Sequence, residues 1–290
     1  MEYQECQKLD NINNEEDSQV KKSYEIVKNI RKTKNGELFL IRYDINKSGN
    51  EKFYLLNKIQ IKSKKEKEQI LEEITKLNFI SKNVIKINNY FIENQKENEF
   101  CCLIIDKYEN ANLYNLIMQN YPLNSRMIWR IFIQIILGIK SFHDKDLIIK
   151  NLCSENIFID NEKCIKVGGY GITFDFADKE NLNLLELYSS PEVLKGADYS
   201  KKNDIWALGC ILYELYFKEK PFKAINDILN YYYKVPNTCD NDLKYLLSKM
   251  LCPEKKRISI KELLIDMRFK QKLLEVNLFD EIAEEKIKGK

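Results

Sequence analysis

The most informative segment of this sequence is Asn203-Asp204-Ile205-Trp206-Ala207-Leu208-Gly209-Cys210. It lies within an apolar segment, Lys201 to Phe217, that predicts a helix. Tyr188-Ser189-Ser190-Pro191-Glu192 precedes it, Lys220-Pro221-Phe222 follows it, and Lys256-Arg257-Ile258 comes about sixty-five residues after Glu192. Four motifs in this order and at this spacing are not expected by chance in an unrelated sequence.

The composition is that of an ordinary globular protein, with 290 residues, of which 44% are hydrophobic and 31% charged. A chain of this length can bury enough surface to fold without disulfide or metal cross-links. The 47 basic and 44 acidic residues leave a net charge of +3, too balanced for a dedicated binder of nucleic acids or membrane surfaces. The single histidine, His143, argues against a zinc site built from histidines.

The eight cysteines contain no C-x-x-C pair, so we expect reduced thiols and a cytoplasmic location. The segment Met1 to Asp17 is polar and acidic, unlike a signal or transit peptide. The longest apolar run, Ile131 to Ile139, is interrupted by Gln134 and is too short to cross a bilayer. We therefore expect neither a membrane nor a nucleic acid as a partner.

The hydrophobic pattern changes from strands to helices near residue 108. Residues 1–22 form a polar, acidic leader, and residues 274–290 a charged, amphipathic helical tail. The segment 23–107 is predicted to contain an antiparallel sheet and one helix, Lys64 to Ile80, with strands at 24–27, 38–41, 53–56, 84–92 and 100–105. The segment 108–273 is predicted to be mainly helical, with helices at 113–119, 124–143, 201–217, 241–251 and 260–267 and short strands at 157–159 and 165–167. The predicted class is α+β, with two unequal lobes.

In order and spacing, the four motifs resemble the large lobe of eukaryotic protein kinases, and the resemblance extends from about Tyr24 to Leu273. It implies a bilobal kinase-like fold and structural roles for five residues. Glu192 and Arg257 would form a buried ion pair, and Asp204 would accept backbone N–H groups of the catalytic loop. Trp206 would pack against the long helix, and His143, eight residues before Asn151, would be a core residue rather than a catalytic one.

The resemblance also identifies the catalytic loop as Ile149-Lys150-Asn151-Leu152-Cys153-Ser154-Glu155-Asn156, where the family has His-Arg-Asp-Leu-Lys-Pro-Glu-Asn. The carboxylate that would orient the attacking hydroxyl is replaced by the amide of Asn151. Cys153 replaces the lysine that would steady the γ-phosphate, either as a small packing residue or as a reactive thiol. Asn156 is kept, but a single amide is a poor site for Mg²⁺.

The family's metal-binding Asp-Phe-Gly corresponds to Gly169-Tyr170-Gly171, thirteen residues after Asn156 as the family spacing requires. Asp175-Phe176-Ala177 is a rival match that lies six residues too late. Because Gly169 offers no carboxylate, we expect no bound metal.

The phosphate-binding part of the small lobe is altered as well. Arg31 and Thr33 occupy glycine positions of the family's phosphate loop, and only Gly36 remains. The phosphate-pairing lysine is replaced by Asn57, while its neighbour Lys58 is either a solvent-exposed lysine or a replacement reached by a register shift. The helix glutamate that would pair with the missing lysine is Glu72 or Glu73, and the apolar pattern after it favours Glu73.

The adenine slot is predicted to be filled by the protein's own side chains. Where the family has alanine, valine and leucine around the purine, this chain has Leu55, Leu38 and Phe158. Burying these three groups would stabilise the fold by about 1.5–3 kcal/mol each and would exclude ATP. The alternative is that the backbone opens to admit nucleotide.

The sequence therefore predicts a pseudokinase, an interaction scaffold or allosteric regulator with no cofactor and a protein partner that it does not name. Two alternatives remain: a weak Ser/Thr kinase that uses ATP and Mg²⁺, and a metal-independent nucleotide sensor. Candidate partner surfaces are the leader, the tail and the segment 169–192. That segment also contains hydroxyls that another kinase could phosphorylate, namely Tyr170, Thr173, Tyr188, Ser189 and Ser190.

Overall fold

A computed structural model describes residues 24–32, 36–43, 52–77, 81–108, 112–119, 123–160, 162–168 and 186–276. They fall into two compact units. The N-terminal unit comprises the residues up to Leu71 together with Ile87–Lys107, and the C-terminal unit comprises Glu72–Lys86 together with the residues from Tyr108 onward. The acidic leader and most of the tail lie outside the described residues.

The N-terminal unit is built on a five-stranded antiparallel sheet, in which the strands lie side by side in the order first, second, third, fifth and fourth along the chain. Strands rich in aromatic and β-branched residues favour this pleated, half-buried arrangement. One face of the sheet carries a buried cluster made of Ile41, Tyr43, Leu56, Phe91, Cys102 and Ile104. The five strands are β1 (Tyr24–Lys32), β2 (Gly36–Tyr43), β3 (Lys52–Ile61), β4 (Ile87–Gln95) and β5 (Asn98–Asp106).

The helix that follows β3, α1 (Lys64–Leu77), belongs to the C-terminal unit from Glu72 onward. The remainder of that unit is mainly helical, with a small antiparallel pair, β6 (Ile157–Ile159) and β7 (Ile165–Val167). The other helices are α2 (Leu113–Met118), α3 (Ser125–His143), α4 (Pro191–Leu194), α5 (Lys201–Phe217), α6 (Ile225–Leu229), α7 (Asn241–Met250), α8 (Ile260–Ile265) and α9 (Met267–Glu275).

The core of the C-terminal unit forms where α3 and α5 pack against each other. Both helices begin at polar caps: the side chain of Asn124 accepts the Met127 N–H at 2.9 Å, and Ser200 caps α5. Trp129 on α3 and Trp206 on α5 are fully buried. Because α5 is buried along most of its length, its sequence is apolar on nearly every face.

The predicted strand start at Val84 is wrong, since β4 begins at Ile87. Val84 instead forms an isolated parallel bridge with Val167, and the Ile85 N–H donates to the Val167 carbonyl at 3.0 Å. The apolar pair Val84-Ile85 therefore belongs to the C-terminal unit, whereas the strand that follows belongs to the sheet.

The predicted helix 260–267 ends earlier, at Ile265, because Asp266 begins a new helix. The Asp266 side chain accepts the N–H groups of Arg268 and Phe269 at 3.0 and 3.1 Å. Leu274, placed at the start of the tail by the sequence, is part of α9.

The predicted α+β class is confirmed: an antiparallel sheet with one helix precedes a mainly helical region. Among the residues that the structure describes, no helix is both long enough and apolar enough to span a bilayer. The seven cysteines in these segments are free thiols.

Candidate active site

The loop from Ile149 to Asn156 is anchored to the first turn of α5 by a buried carboxylate. Asp204 accepts the backbone N–H groups of Ile149 at 3.1 Å and of Lys150 at 3.3 Å. His143 lies against the same carboxylate, with its Nε2 2.8 Å from Asp204 Oδ2. The backbone of the loop is therefore fixed at the end of α3 and the start of α5.

The loop then turns sharply at Lys150, whose φ of 63° lies in the left-handed region that non-glycine residues seldom adopt. The N–H of Asn151 donates to the Ile149 carbonyl at 2.7 Å, and the Asn151 carbonyl accepts from Asn156 Nδ2 at 2.8 Å. Asn151 lines a cavity of about 160 Å³ together with Lys150, Tyr188 and Ser189. An amide at this place can hydrogen-bond a hydroxyl but cannot accept its proton.

Cys153 is completely buried in this loop. Burial raises the pKa of its thiol well above the ordinary value, so the group stays protonated and is a poor nucleophile. Of the two interpretations of Cys153, the packing residue is the one that this environment favours.

A polar network that the sequence did not reveal surrounds Tyr188. The Tyr188 hydroxyl donates to Glu214 Oε2 at 2.5 Å and lies 2.9 Å from Ser154 Oγ. Lys220 donates to the same hydroxyl at 2.8 Å, and its Nζ lies 3.4 Å from Glu155 and 3.8 Å from Glu214. Burial raises the pKa of Glu214, and the positive charge of Lys220 opposes that shift. The single ammonium of Lys220 thus lies between two carboxylates beside the loop and offsets part of their combined charge.

The buried ion pair between Glu192 and Arg257 is present, with contacts of 2.6 and 3.2 Å. Burial acts to raise the pKa of Glu192, but the hydrogen bonds and charge of Arg257 outweigh it and hold that pKa below its usual value. The guanidinium also donates to the carbonyls of Lys202 and Cys252 and lies 4.9 Å from the Trp206 ring. Trp206 itself stacks on Phe222 at 5.3 Å.

In the N-terminal unit, the strand register places Leu38, Leu55 and Asn57 on one face of the sheet, since Leu38 pairs with Asn57 and strand residues alternate in direction. Leu38, Leu55 and Asn57 are all buried there. Arg31 pairs with Leu38 at the end of β1, and Thr33 lies outside the described residues.

Gly36 has a structural reason to be glycine. A Cβ at this position would lie 2.0 Å from the Lys58 carbonyl oxygen, a distance that no side chain tolerates. The close approach of β2 to β3 therefore requires glycine here whether or not a phosphate ever binds.

Lys58 points away from Asn57, to the opposite face of the sheet. The interpretation of Lys58 as solvent-exposed is wrong: its side chain is 7% exposed and forms an ion pair with Glu93 at 2.9 Å. Its ammonium also lies 4.4 Å from the centre of the Phe100 ring. The signal that was missed is Glu93, which lies on β4 and could be matched to Lys58 only through the register of the sheet.

The model of the protein kinase domain family matches residues 24–268. This chain belongs to the protein kinase family. The catalytic loop, its Asp204 anchor and the Glu192–Arg257 pair all fall within the matched region.

Several protein kinases are similar to this chain. A probable serine/threonine-protein kinase from Dictyostelium discoideum is 29% identical over 221 residues, which cover 72% of this chain and 26% of that protein. The serine/threonine-protein kinases Nek7 from Arabidopsis thaliana and Nek9 from Mus musculus are 26% and 29% identical, over 77% and 57% of this chain. The chain spans only 38% of Nek7 and 17% of Nek9.

The described residues offer few ligands to the Mg²⁺ that protein kinases use. Asn156 Oδ1 is buried and has no hydrogen-bond partner in the described part of the chain, so one neutral oxygen is available to a cation. No group of three or more His, Cys, Asp or Glu side chains that could hold a metal occurs there. The amide of Asn151 adds no charge, and Gly169, outside the described residues, has no side chain to offer.

Two further predicted site residues lie in the C-terminal unit. Burial raises the pKa of the half-buried Glu73 to about 7, against the lowering effect of the Lys150 and Lys76 charges. The neighbouring Glu72 is exposed and pairs with Lys76 at 2.6 Å. Phe158 is buried and stacks on Tyr108, with 5.4 Å between ring centres.

The rival motif at 175–177 and the hydroxyls of Tyr170 and Thr173 lie outside the described residues. Lys220 and Glu214 were not recognised as site residues, although Lys220 belongs to a motif that the sequence singled out. The sequence feature that could have indicated them is the lysine just before Pro221-Phe222. Its role is recognisable only in the folded chain, where Glu155 and Glu214 both lie near Lys220.

Proposed function

We propose that this chain is a pseudokinase, a protein-kinase fold that binds protein partners and does not transfer phosphate. The observation that carries the proposal is Asn151, which occupies a loop still anchored by Asp204. The loop has the support that a working site needs, but the group that would act on the substrate hydroxyl is an uncharged amide. Loss of such a group typically removes several kcal/mol of transition-state stabilisation.

The environment of Lys58 supports the same proposal. A replacement for the missing phosphate-binding lysine would have to present its charge on the Asn57 face of the sheet. Lys58 instead pairs with Glu93 on the other face, inside an apolar surrounding. Moving it would leave Glu93 buried without this partner, at a cost of about 3–5 kcal/mol.

The residues at the adenine positions also support it. Leu38 and Leu55 are buried in the N-terminal unit, and Phe158 is buried in the C-terminal unit, where it stacks on Tyr108. We infer from these side chains that neither ATP nor Mg²⁺ is a resident cofactor. The role that remains is that of a cytoplasmic interaction module or allosteric regulator, with a protein as its partner.

The direct test is a phosphotransfer assay with radiolabelled ATP, Mg²⁺ and casein as acceptor. We expect only background incorporation, equal in the wild type and in Asn151→Ala. Incorporation that exceeds background and is lost in Asn151→Ala would be intrinsic activity and would overturn the proposal. Persistence of that activity in Lys58→Ala would further exclude Lys58 as the replacement lysine.

Calorimetry with ATP and Mg²⁺ can distinguish two causes of lost nucleotide binding, namely the volume of the side chains in the adenine slot and the missing charges. A variant that restores only charges, Asn57→Lys with Asn151→Asp and Gly169→Asp, should not bind ATP. Adding Leu55→Ala and Phe158→Leu should restore binding, with a loss of about 2–5 kcal/mol of stability for the leucine truncation. Micromolar binding by the charge-only variant would contradict the filled slot, and metal-independent binding by the wild type would favour the nucleotide sensor instead.

A further inference from the structure

A second cavity of the C-terminal unit lies away from Asn151, beside the last residues of α3. Its volume is about 230 Å³. It is bordered by the end of α3, the start of α5 and the start of α8, and we call it the His143 cavity. Its lining residues are His143, Asp144, Lys201, Lys202, Ile205, Ser259, Ile260 and Lys261.

The His143 cavity has an apolar floor. Ile205 and Ile260 are almost completely buried, with 1% and 3% of their surface exposed. His143 contributes a side chain that is 8% exposed and already directed to Asp204. Such a floor favours an apolar group over water, which would find few polar partners there.

The rim of the cavity is cationic. Lys201 is paired with Asp146 at 2.6 Å, and the rim carboxylate of Asp144 is paired with Lys140. Lys202 donates to the Arg257 carbonyl, and its nearest carboxylate oxygen among the described residues, that of Glu262, lies 3.9 Å away.

Lys261 completes the rim, and it is exposed. It forms no ion pair within the described segments, although its charge adds to the lowering of the Asp146 pKa that Lys201 mainly causes. Lys202 and Lys261 are therefore the two rim cations whose charge is least compensated.

The surface continues from the cavity along α8. Ile265 follows Lys261 by four residues, which places both on the same face of the helix about one turn apart. Ile265 is 65% exposed. A bound chain could thus contact an apolar floor, two lysines and an exposed isoleucine in succession.

We propose that the His143 cavity docks a partner peptide in which a leucine-sized side chain is flanked by glutamates. The inference rests on the proposed interaction role and names the chemistry of the partner. A cavity of 150 Å³ can hold benzene, whereas drug-sized ligands need about 300–1,000 Å³, so this cavity fits one side chain of a longer chain. The apolar floor selects the leucine, and the charges of Lys202 and Lys261 select its acidic neighbours.

The test uses a fluorescein-labelled nonapeptide, Glu-Glu-Leu-Glu-Glu-Glu-Leu-Glu-Glu, and anisotropy with the full chain in the absence of ATP. We expect saturable binding that weakens about tenfold in Lys202→Glu/Lys261→Glu, because two exposed ion pairs are worth up to about fivefold each. The variant should in turn bind the peptide with every Glu changed to Lys. Ile265→Asp should also weaken binding of the acidic peptide.

Matched controls are Lys195→Glu, an exposed lysine outside the cavity, and Ile225→Asp, an exposed isoleucine on α6. Both should bind like the wild type. No saturable binding, or equal loss in the control variants, would overturn the proposal. A dimer that sedimentation detects and that Lys261→Glu dissociates would assign the cavity to a second copy and would also overturn it. The anisotropy assay contains no ATP, so its result does not depend on phosphotransfer. A failure of the docking proposal can therefore be distinguished from a failure of the pseudokinase proposal.

Discussion

The pairs Lys58–Glu93 and Arg257–Glu192 are both buried, one in each unit, but their surroundings differ. Arg257 uses all five of its N–H donors, two toward Glu192 and three toward the carbonyls of Lys202 and Cys252. Lys58 has one carboxylate at 2.9 Å and the face of Phe100. The Arg257–Glu192 pair therefore also binds the backbone before α8 and within α5, whereas the Lys58–Glu93 pair links a side chain of β3 to one of β4. The cation is buried in both pairs, although Glu192 is 15% exposed and Glu93 only 6%, so we expect the hydrogen bonds around the cation to decide how replaceable each pair is.

The largest expected effect is that of Arg257→Ala. The change leaves Glu192 without its cation and two carbonyls without donors, so stability should fall by about 3–5 kcal/mol, toward the upper end. Urea unfolding followed by circular dichroism measures it, and insoluble protein would be the extreme of the same result. Arg257→Lys should recover only part of the loss, since lysine cannot satisfy the same donors. A free energy of unfolding equal to that of the wild type would contradict the importance of the Arg257–Glu192 pair.

Lys58→Ala should have a smaller effect, about 3 kcal/mol, because Glu93 keeps a hydrogen bond from Gln95. Hydrogen exchange of the β3, β4 and β5 amides gives a local readout in the N-terminal unit.

Replacing both charged residues of a pair by apolar ones separates the role of the charges from that of the hydrogen bonds. Lys58→Met with Glu93→Leu should lie within about 1 kcal/mol of the wild type or above it, as apolar replacement of a buried pair often does. Arg257→Met with Glu192→Leu should stay strongly destabilised, because the carbonyls of Lys202 and Cys252 still lose their donors. Equal outcomes for the two double variants would show that the hydrogen bonds do not distinguish the pairs.

The smallest effect concerns Glu73, where burial outweighs the attraction of Lys150 and Lys76. Its folded pKa of about 7 lies above the unfolded value of 4.5, so the folded state loses stability as pH rises from 4.5 through 7. Glu73→Gln removes this loss, and its melting temperature relative to the wild type should therefore increase between pH 5 and pH 8. Glu72→Gln, on the exposed side of the same turn, is the matched control and should not reproduce the increase. A pH-independent difference for Glu73→Gln would contradict the raised pKa.

The sequence allowed prediction of those features that depend on local pattern or on spacing. The local hydrophobic pattern predicts most of the strands and the apolar helix 201–217. The spacing of the motifs predicts that Glu192 and Arg257 are partners. Features that depend on register between strands were not predictable, because Lys58 and Glu93 are matched only through β5, which lies between their strands. The same holds for Lys220, whose two carboxylates come from separate segments. The strand prediction at Val84 was wrong because two consecutive apolar residues, Val84 and Ile85, have the same sequence pattern in a strand and in an isolated bridge.

The positions of the two tryptophans give the molecule an optical asymmetry. The chain contains only two, Trp129 and Trp206, and both are buried in the C-terminal unit. Intrinsic tryptophan emission therefore reports on that unit alone, while the sheet, with Tyr24, Tyr43, Tyr54 and Tyr90, contributes only tyrosine absorbance and emission. An emission transition that precedes or follows the loss of far-ultraviolet ellipticity would reveal that the two units unfold at different denaturant concentrations, without any label being added.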